Sequence, residues 1–179
     1  MQDRFFKAGE PKVLEALSMN KNLKSSLVEE FLKDEELGVN VAKGKELTRE
    51  LFELFKANKI GLALNESLTL EMQEELLSLN DEEVSYALAL NNSIDEKIIN
   101  ELLKESSRDI QSAIYENSST PVEILESAYK NNQNYAELAK NENTPVEILY
   151  QLQLDSRYER FVKTNPGFGK HIQEENIGW

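Results

Sequence analysis

Apolar residues recur at fixed distances from a series of asparagines along the chain. The asparagines are spaced 20 to 26 residues apart, and an apolar side chain lies three positions before each of them. Further apolar residues follow seven and eleven positions after each of the first six. The asparagines are Asn20, Asn40, Asn65, Asn91, Asn117, Asn141 and Asn165. Self-similarity at such a period is typical of proteins built from stacked structural repeats.

The pattern within each repeat predicts a short helix that ends near the asparagine, then a turn and a longer helix. Residues 23–37 predict one continuous amphipathic helix, with Gly38 as its C-terminal stop. Residues 47–57 predict another, and its inward side chains are expected to be Leu47, Leu51, Leu54 and Phe55. The repeat around Asn40 is the least regular, because Lys43 takes the place of an apolar residue there.

Two of the turns contain the same segment, Thr-Pro-Val-Glu, at Thr120–Glu123 and Thr144–Glu147. Thr is a favoured helix N-cap, Pro is favoured at the first helical position, and Glu at the third can bond back to the cap. We therefore expect a capping box at both turns, and an N-cap by Thr69 for the helix that begins at Leu70.

The asparagine upstream of each turn has two possible roles. It can end the short helix in a left-handed conformation, or its side chain can bond backbone groups across the turn. Its recurrence at seven places favours a structural ladder over a ligand-binding role.

A single repeat cannot fold alone, because its few apolar side chains do not offset the conformational entropy lost on ordering. Neighbouring repeats must therefore cover one another. Scarce Gly and Pro and the lack of β-branched runs agree with helices. The sequence predicts an all-α fold, an α-solenoid of about seven repeats of 20–26 residues. It would form one domain, residues 1–179, with residues 1–20 as an N-terminal cap and 166–179 as a C-terminal tail.

The two best copies are LAKNENTPVEIL, Leu138–Leu149, and IYENSSTPVEIL, Ile114–Leu125. With a period of about 24 residues, they resemble the leucine-rich repeat variant family, an α-solenoid relative of HEAT and armadillo arrays in bacterial proteins. The resemblance is weak before residue 60. It implies a right-handed superhelix in which each repeat pairs an α-helix with a shorter helix. The cysteine-ligated iron–sulfur cluster of some members does not carry over, because the chain has no cysteine. The resemblance implies little about function.

The chain is acidic throughout, with a formal net charge of −13. Residues 1–90 hold 11 basic and 18 acidic side chains, and residues 91–179 hold 9 and 15. Even acidity repels phosphate backbones, so we expect no nucleic acid partner and favour a protein or peptide partner that is basic. No stretch approaches the roughly 20 apolar residues of a membrane span. Together with the lack of an apolar signal core, this predicts no membrane association and a cytoplasmic location.

No group of residues predicts catalysis. The absence of cysteine excludes thiolate catalysis and cysteine-bound metals, and His171 is the only histidine, which excludes a two-histidine metal site. Adjacent glutamates such as Glu74 and Glu75 fall on polar helix faces, where solvation is the expected state. Gly-rich phosphate loops and EF-hand spacing do not occur. We expect no catalytic residue, no cofactor and no metal.

Tyrosines concentrate in the last three repeats. One interpretation is packing in the core and between repeats. The other is an exposed ridge on which tyrosines act as rigid anchors for a partner. On that interpretation, the candidate partner-binding residues are Tyr115, Tyr135, Tyr150 and Tyr158.

Three functions remain open from the sequence. The leading hypothesis is a non-enzymatic protein–protein interaction scaffold that binds a partner protein or peptide on the solenoid surface. A HEAT-like DNA-repair glycosylase also uses helical repeats, but it would need a basic groove with aromatic side chains near an aspartate. An acidic immunity or inhibitor protein for a basic toxin cannot be separated from the first hypothesis by sequence.

Overall fold

The regular structure of the protein is helical. A computed structural model describes residues 1–105 and 107–175, and within them the secondary structure consists of fifteen α-helices and one 3₁₀ turn, with no strand. The prediction of an all-α fold is therefore confirmed. Contacts within the structure group the chain into two compact units, residues 1–95 and 96–179. That both belong to one domain stays a prediction from sequence.

The first unit contains eight α-helices. They are α1 (Gln2–Ala8), α2 (Pro11–Ser18), α3 (Ser25–Phe31), α4 (Glu35–Gly44), α5 (Arg49–Leu54), α6 (Lys59–Ala63), α7 (Leu70–Leu77) and α8 (Glu82–Ala89), with a 3₁₀ turn at Lys56–Asn58. Helix α4 packs against both α2 and α6, and α6 also packs against α8. Alternate helices are therefore spatial neighbours, as expected for stacked helical repeats.

The second unit follows the same rule. Its helices are α9 (Glu96–Glu105), α10 (Arg108–Glu116), α11 (Val122–Lys130), α12 (Tyr135–Lys140), α13 (Val146–Gln153), α14 (Glu159–Thr164) and α15 (Pro166–Glu174). Helix α12 packs between α10 and α14, and α13 packs against α14 and α15. Their inward side chains form a continuous core that includes Leu125, Leu138, Leu149, Val162 and Phe168.

Most of the repeating apolar positions are buried, and three of the four exceptions belong to the repeat around Asn40. Leu37, Leu47 and Leu51 are only partly buried. Helix α4 continues through Asn40 to Gly44, so this repeat is shifted along the chain by about five residues relative to the prediction. When Lys45 replaces Asn40 as the reference position, the apolar residue three positions before it is Ala42 and the one seven positions after it is Phe52. Both are fully buried.

The predicted boundaries in this region are therefore wrong. The single helix expected over residues 23–37 is two helices, α3 and the start of α4, because Asp34 caps α4 by accepting a hydrogen bond from the Leu37 N–H (3.0 Å). Gly38 is not a stop but a buried residue inside α4, with the Asn58 side chain against it. In α5 the inward residue is Phe52, whereas Leu54 is 47% exposed.

Buried asparagine side chains connect successive turns. The Nδ2 group of Asn91 donates to the carbonyls of Ala63 (2.8 Å) and Asn65 (2.9 Å) in the preceding repeat. Its Oδ1 accepts from the Ser93 N–H (2.8 Å) in its own turn. Paired donor bonds to the preceding repeat recur at Asn65, Asn141 and Asn165. We call these four side chains the asparagine ladder. The predicted ladder role is confirmed at these four of the seven positions, whereas Asn40 donates to the Ser18 hydroxyl (3.1 Å) instead.

The repeat asparagines of the second unit are not left-handed. Asn117, Asn141 and Asn165 have φ values of −73°, −70° and −70°, in the extended region. The left-handed alternative is therefore wrong at these three positions. Left-handed asparagines occur instead in the loops before α8 and α12, at Asn80, Asn132 and Asn134, where a short polar side chain tolerates positive φ.

The threonines of the two Thr-Pro-Val-Glu segments bond to the helix that precedes them. The Thr144 hydroxyl donates to the Leu138 carbonyl (2.7 Å), and the Thr120 hydroxyl donates to the Ile114 carbonyl. Helices α11 and α13 begin after the proline, without a side-chain cap. The predicted capping boxes are therefore wrong, because each threonine hydroxyl donates to a carbonyl near the end of the preceding short helix instead. The N-cap by Thr69 is confirmed, since Thr69 accepts from the Met72 N–H (3.4 Å).

The segment predicted as a C-terminal tail, as far as residue 175, contains a packed helix. Asn165 caps α15 by accepting from the Phe168 N–H (3.0 Å), and Pro166 occupies the first turn. Phe168 and Ile172 of this helix are buried in the core of the second unit. Residues 176–179 lie outside the described part of the chain.

We expect Asn141→Ala to lower the free energy of unfolding by about 2–5 kcal/mol, because each buried polar group left without a partner costs about 1–3 kcal/mol. Asn141 is 1% exposed and bonds two carbonyls and one N–H. Urea unfolding followed by circular dichroism measures the change. Asn131→Ala, at an exposed helix end, is the matched control. Equal stability of the two variants would contradict a structural ladder.

Asn141→Asp adds a test by pH. Burial and the two facing carbonyls should raise the pKa of the introduced carboxyl above its unfolded value. The neutral acid is then favoured in the folded state, so the loss of stability relative to wild type should be smaller at about pH 4 than at about pH 7. A loss that is independent of pH in urea unfolding would argue against burial of this side chain.

We expect Gly61→Ala to destabilise the first unit by about 2 kcal/mol or more, as overpacking against backbone does. A Cβ at this position would lie 2.5 Å from the Val39 carbonyl oxygen, across the contact between α4 and α6. Gly44→Ala is the matched control, since its Cβ would meet only the Met19 backbone, at 3.5 Å or more. It should raise the free energy of unfolding by about 0.5 kcal/mol through helix propensity. Urea unfolding that ranks the two variants in the opposite order would contradict the close approach of α4 and α6.

Candidate functional site

The four tyrosines predicted to bind a partner do not form one patch. Tyr115 is 8% exposed and belongs to the core of the second unit, where burial raises the pKa of its hydroxyl. Tyr150 packs edge-on against Phe168 (5.1 Å between ring centroids) and near His171 (5.9 Å). Tyr135 and Tyr158 are brought together, at 5.8 Å.

Tyr135 lies between two other tyrosine rings. It contacts Tyr158 edge-on, and its ring is tilted against that of Tyr129 at 5.4 Å. We call Tyr129, Tyr135 and Tyr158 the tyrosine cluster. All three rings are partly exposed at the edge of the core. The Tyr135 hydroxyl donates to Oδ1 of Asn132 (2.7 Å), one of the left-handed asparagines, which fixes the ring direction.

An ion pair covers one side of the tyrosine cluster. The guanidinium carbon of Arg157 lies 5.0 Å from the centroid of the Tyr158 ring. The same guanidinium donates to both carboxylate oxygens of Asp155, at 3.0 Å from Nε and 2.6 Å from Nη2. The hydrogen bonds from Arg157 lower the pKa of Asp155 to about 2. This arrangement holds an arginine over the face of a tyrosine ring, at a distance favourable for a cation–π contact.

A second aromatic ring with cations lies on α14. Arg160 lies over the Phe161 ring at 4.5 Å, and the Lys140 ammonium lies 5.2 Å from the same centroid. Lys140 also pairs with Glu116 (2.5 Å). Aromatic and arginine side chains of this kind are enriched where proteins bind one another.

In the first unit, an ion network joins α5 to α7. Arg49 and Lys56 each pair with Glu53 and Glu75 at 2.5 to 2.7 Å, and both cations lie over the Phe52 ring. Hydrogen bonds from Lys56 and then Arg49 lower the pKa of Glu75. The sequence predicted a merely solvated Glu75, but this carboxylate is paired between two cations and contacts a neighbouring repeat.

The first unit also contains an open pocket of about 590 Å³ beside the start of the asparagine ladder. Its lining includes Met19, Lys21, Lys43, Gly44, Lys45 and Leu64. Met19 is 54% exposed, whereas Leu64 is partly buried. The pocket therefore combines apolar side chains with three lysines in a chain of net charge −13.

Sequence reasoning missed Tyr129, Asp155 and Arg157 at the tyrosine cluster. A usable signal was present, because Tyr135 and Tyr158 are 23 residues apart, about one repeat period. Residues one period apart in a stacked repeat lie side by side. The contact between Tyr129 and Tyr135 depends on a loop with left-handed asparagines, which the pattern does not specify.

Comparison with known proteins gave no match: no family model matches the chain, and no curated protein or solved structure matches it. Within residues 1–105 and 107–175, no group of three or more His, Cys, Asp or Glu side chains could hold a metal ion. In the same part of the chain, every helix is too short or too polar to cross a membrane.

We expect the Asp155 carboxyl to titrate with a pKa of about 2 in the wild-type protein. In Arg157→Gln the pKa should rise but stay below the ordinary 3.8, because the backbone N–H of residue 157 still donates to Asp155 (2.9 Å). Since the folded pKa is lowered, the ion pair stabilises the protein above pH 3.8, and the contribution is lost as the pH falls towards 2. Side-chain carboxyl chemical shifts followed by NMR measure both values. An unchanged Asp155 titration in Arg157→Gln would show that the contact with Arg157 does not form in solution.

Proposed function

We propose that the protein is a non-enzymatic scaffold that binds a partner protein or peptide, and that the tyrosine cluster is its main contact surface. The observation that carries this proposal is the contact between Tyr135 and Tyr158 at the edge of the core, with both rings partly exposed. Tyrosines in this state provide a large rigid contact area and lose little side-chain entropy on binding.

The proposed partner is basic. Two features support this choice: the net charge of −13, which attracts cationic proteins over distance, and the ring faces of the cluster, which can accept lysine or arginine side chains. Arg157 against Tyr158 shows within this chain the kind of contact that a partner cation would make. An inhibitor of a basic toxin would be one instance of such a scaffold.

The proposal retains, as predictions from sequence, a right-handed solenoid of about seven repeats, the resemblance to the leucine-rich repeat variant family and a cytoplasmic location. In such arrays each repeat presents its side chains to the same surface as its neighbours do. Tyr135 and Tyr158 belong to successive repeats, which agrees with a surface that extends over more than one repeat.

Affinity capture with matched variants tests the proposal. We expect the immobilised full chain to retain one or a few basic proteins from a lysate of its own organism, and to release them at about 0.5 M salt, because screening weakens attraction between charges. Tyr135→Leu/Tyr158→Leu should retain less than about a tenth as much, since anchor residues dominate binding. Leucine preserves apolar packing at the core edge, and circular dichroism checks folding.

Tyr86→Leu is the control, because Tyr86 is 42% exposed and lies in the first unit, outside the tyrosine cluster. It should retain the same proteins as wild type. Capture that is equal in all three chains would assign the binding to general charge and not to the cluster. Retention of no basic protein by the wild-type chain at low salt would contradict a basic partner.

A further inference from the structure

The asparagine ladder has a gap in the first unit. Lys45 occupies the position of the ladder asparagine in its repeat, and its carbonyl accepts from Asn65 Nδ2 (2.6 Å) as the other rungs do. Its own side chain bonds differently, because Nζ donates to the Leu23 carbonyl in the preceding repeat. No side chain of the asparagine ladder therefore lies between the turn at Asn20 and the turn at Asn65. The 590 Å³ pocket lies there, and Asn40 and Asn65 help to line it.

A glycine widens the same gap. The residue immediately before each ladder position in the first unit is Met19, Gly44, Leu64 or Leu90. Met19 and Leu90 are 54% and 45% exposed and Leu64 is partly buried, so this position places apolar side chains at or near the surface in three of the four repeats. Gly44 interrupts the row, although a Cβ there would meet no more than an ordinary van der Waals contact. The pocket is therefore open because residue 44 is a glycine, although a side chain at this position would not collide with its surroundings.

The charge of the pocket is opposite to that of the chain. Three lysines line it together with two glutamates, Glu46 and Glu66. Among the residues that the structure describes, the Lys45 ammonium donates to the Leu23 carbonyl, whereas the ammonium groups of Lys21 and Lys43 form no hydrogen bond or ion pair. Elsewhere in this unit, lysines such as Lys24, Lys33 and Lys56 are paired with carboxylates.

We propose that this pocket docks an acidic, apolar segment of a partner protein, with a carboxylate at Lys21 and Lys43 and a neighbouring apolar side chain on Met19 and Leu64. The size of the pocket suits one or two side chains. The apolar row continues beyond the pocket to Leu90, and an extended peptide can follow such a row, whereas a small ion cannot. The three lysines of the lining outnumber its two glutamates, and carboxylates elsewhere on the chain are screened over about 10 Å at 0.1 M salt, so the local charge favours an acidic segment.

This inference goes beyond the proposed function, because it assigns a second, acid-selective surface that lies wholly in the first unit. It does not use the tyrosine cluster. Either surface can therefore fail its test while the other passes.

Fluorescence anisotropy with a labelled peptide tests the inference. The probe is a capped Leu-Glu-Leu-Glu-Leu peptide, and the reference peptide replaces both glutamates with glutamine. We expect the full wild-type chain to bind the acidic probe, and the glutamine peptide to bind at least about tenfold more weakly, as expected when a contact between opposite charges is removed.

Two variants then separate charge from shape. Lys21→Gln/Lys43→Gln removes the two unpaired ammonium groups, and Gly44→Leu fills the pocket without changing charge; each should weaken binding about tenfold or more. Lys104→Gln/Lys130→Gln changes the net charge equally at exposed residues of the second unit and should leave binding unchanged. Circular dichroism and urea unfolding confirm that each variant is folded.

Three results would overturn the inference. The first is no binding of the acidic probe up to about 1 mM, which corresponds to a binding free energy weaker than about −4 kcal/mol. The glutamine peptide could bind as tightly as the acidic one, which removes the role of the lysines. Finally, the control double variant could weaken binding as much as Lys21→Gln/Lys43→Gln does, which would assign the effect to net charge alone.

Discussion

The structure depends on hydrogen bonds from buried asparagine amides to the carbonyls of the preceding repeat. A short helix leaves carbonyls at its C-terminus without intrahelical partners, and such groups are costly when they are buried. Asparagine has two donors and one acceptor in a small planar group, so one side chain can serve two carbonyls and one N–H at once. At Asn141 all three bonds are 2.8 to 2.9 Å long. The helices are short, of five to ten residues, and their ends need such support. In the Lys45 repeat, which lacks the asparagine, the Lys45 ammonium donates to the Leu23 carbonyl instead.

The same requirement explains the threonines and the close helix contacts. Thr144 supplies a further donor to the last turn of α12, so helix ends are satisfied from the following turn as well as from the next repeat. Close approach then demands small residues at the contact, and Gly61 lies against the backbone of α4 for this reason. The helix ends that receive hydrogen bonds therefore lie where the helices also pack closely, and the apolar core fills the space between these contacts.

The fold class and most of the core could be predicted because both follow from a regular period. Leu62, Leu88 and Leu138, read from the pattern, are fully buried. The prediction failed where the period was irregular: an extra asparagine at position 40 suggested the wrong register, and only burial of Ala42 and Phe52 corrects it. It also failed at the threonines before proline, because such a hydroxyl can either cap the following helix or donate to a carbonyl of the preceding one. At the candidate site, Tyr135 and Tyr158 could be paired by their spacing, whereas the Asp155–Arg157 pair depends on a loop conformation without a sequence signature.

Asn165 both completes the ladder and begins α15. Its amide bonds the preceding turn, but its Oδ1 accepts from Phe168 and its carbonyl from the Gly169 N–H (2.9 Å), inside the new helix. A single side chain therefore joins the ladder contact to the start of α15, and Gly167 lies against the Glu142 backbone, where any side chain would collide. A substitution at Asn165 would consequently disturb two elements at once, the contact with the preceding turn and the first turn of α15.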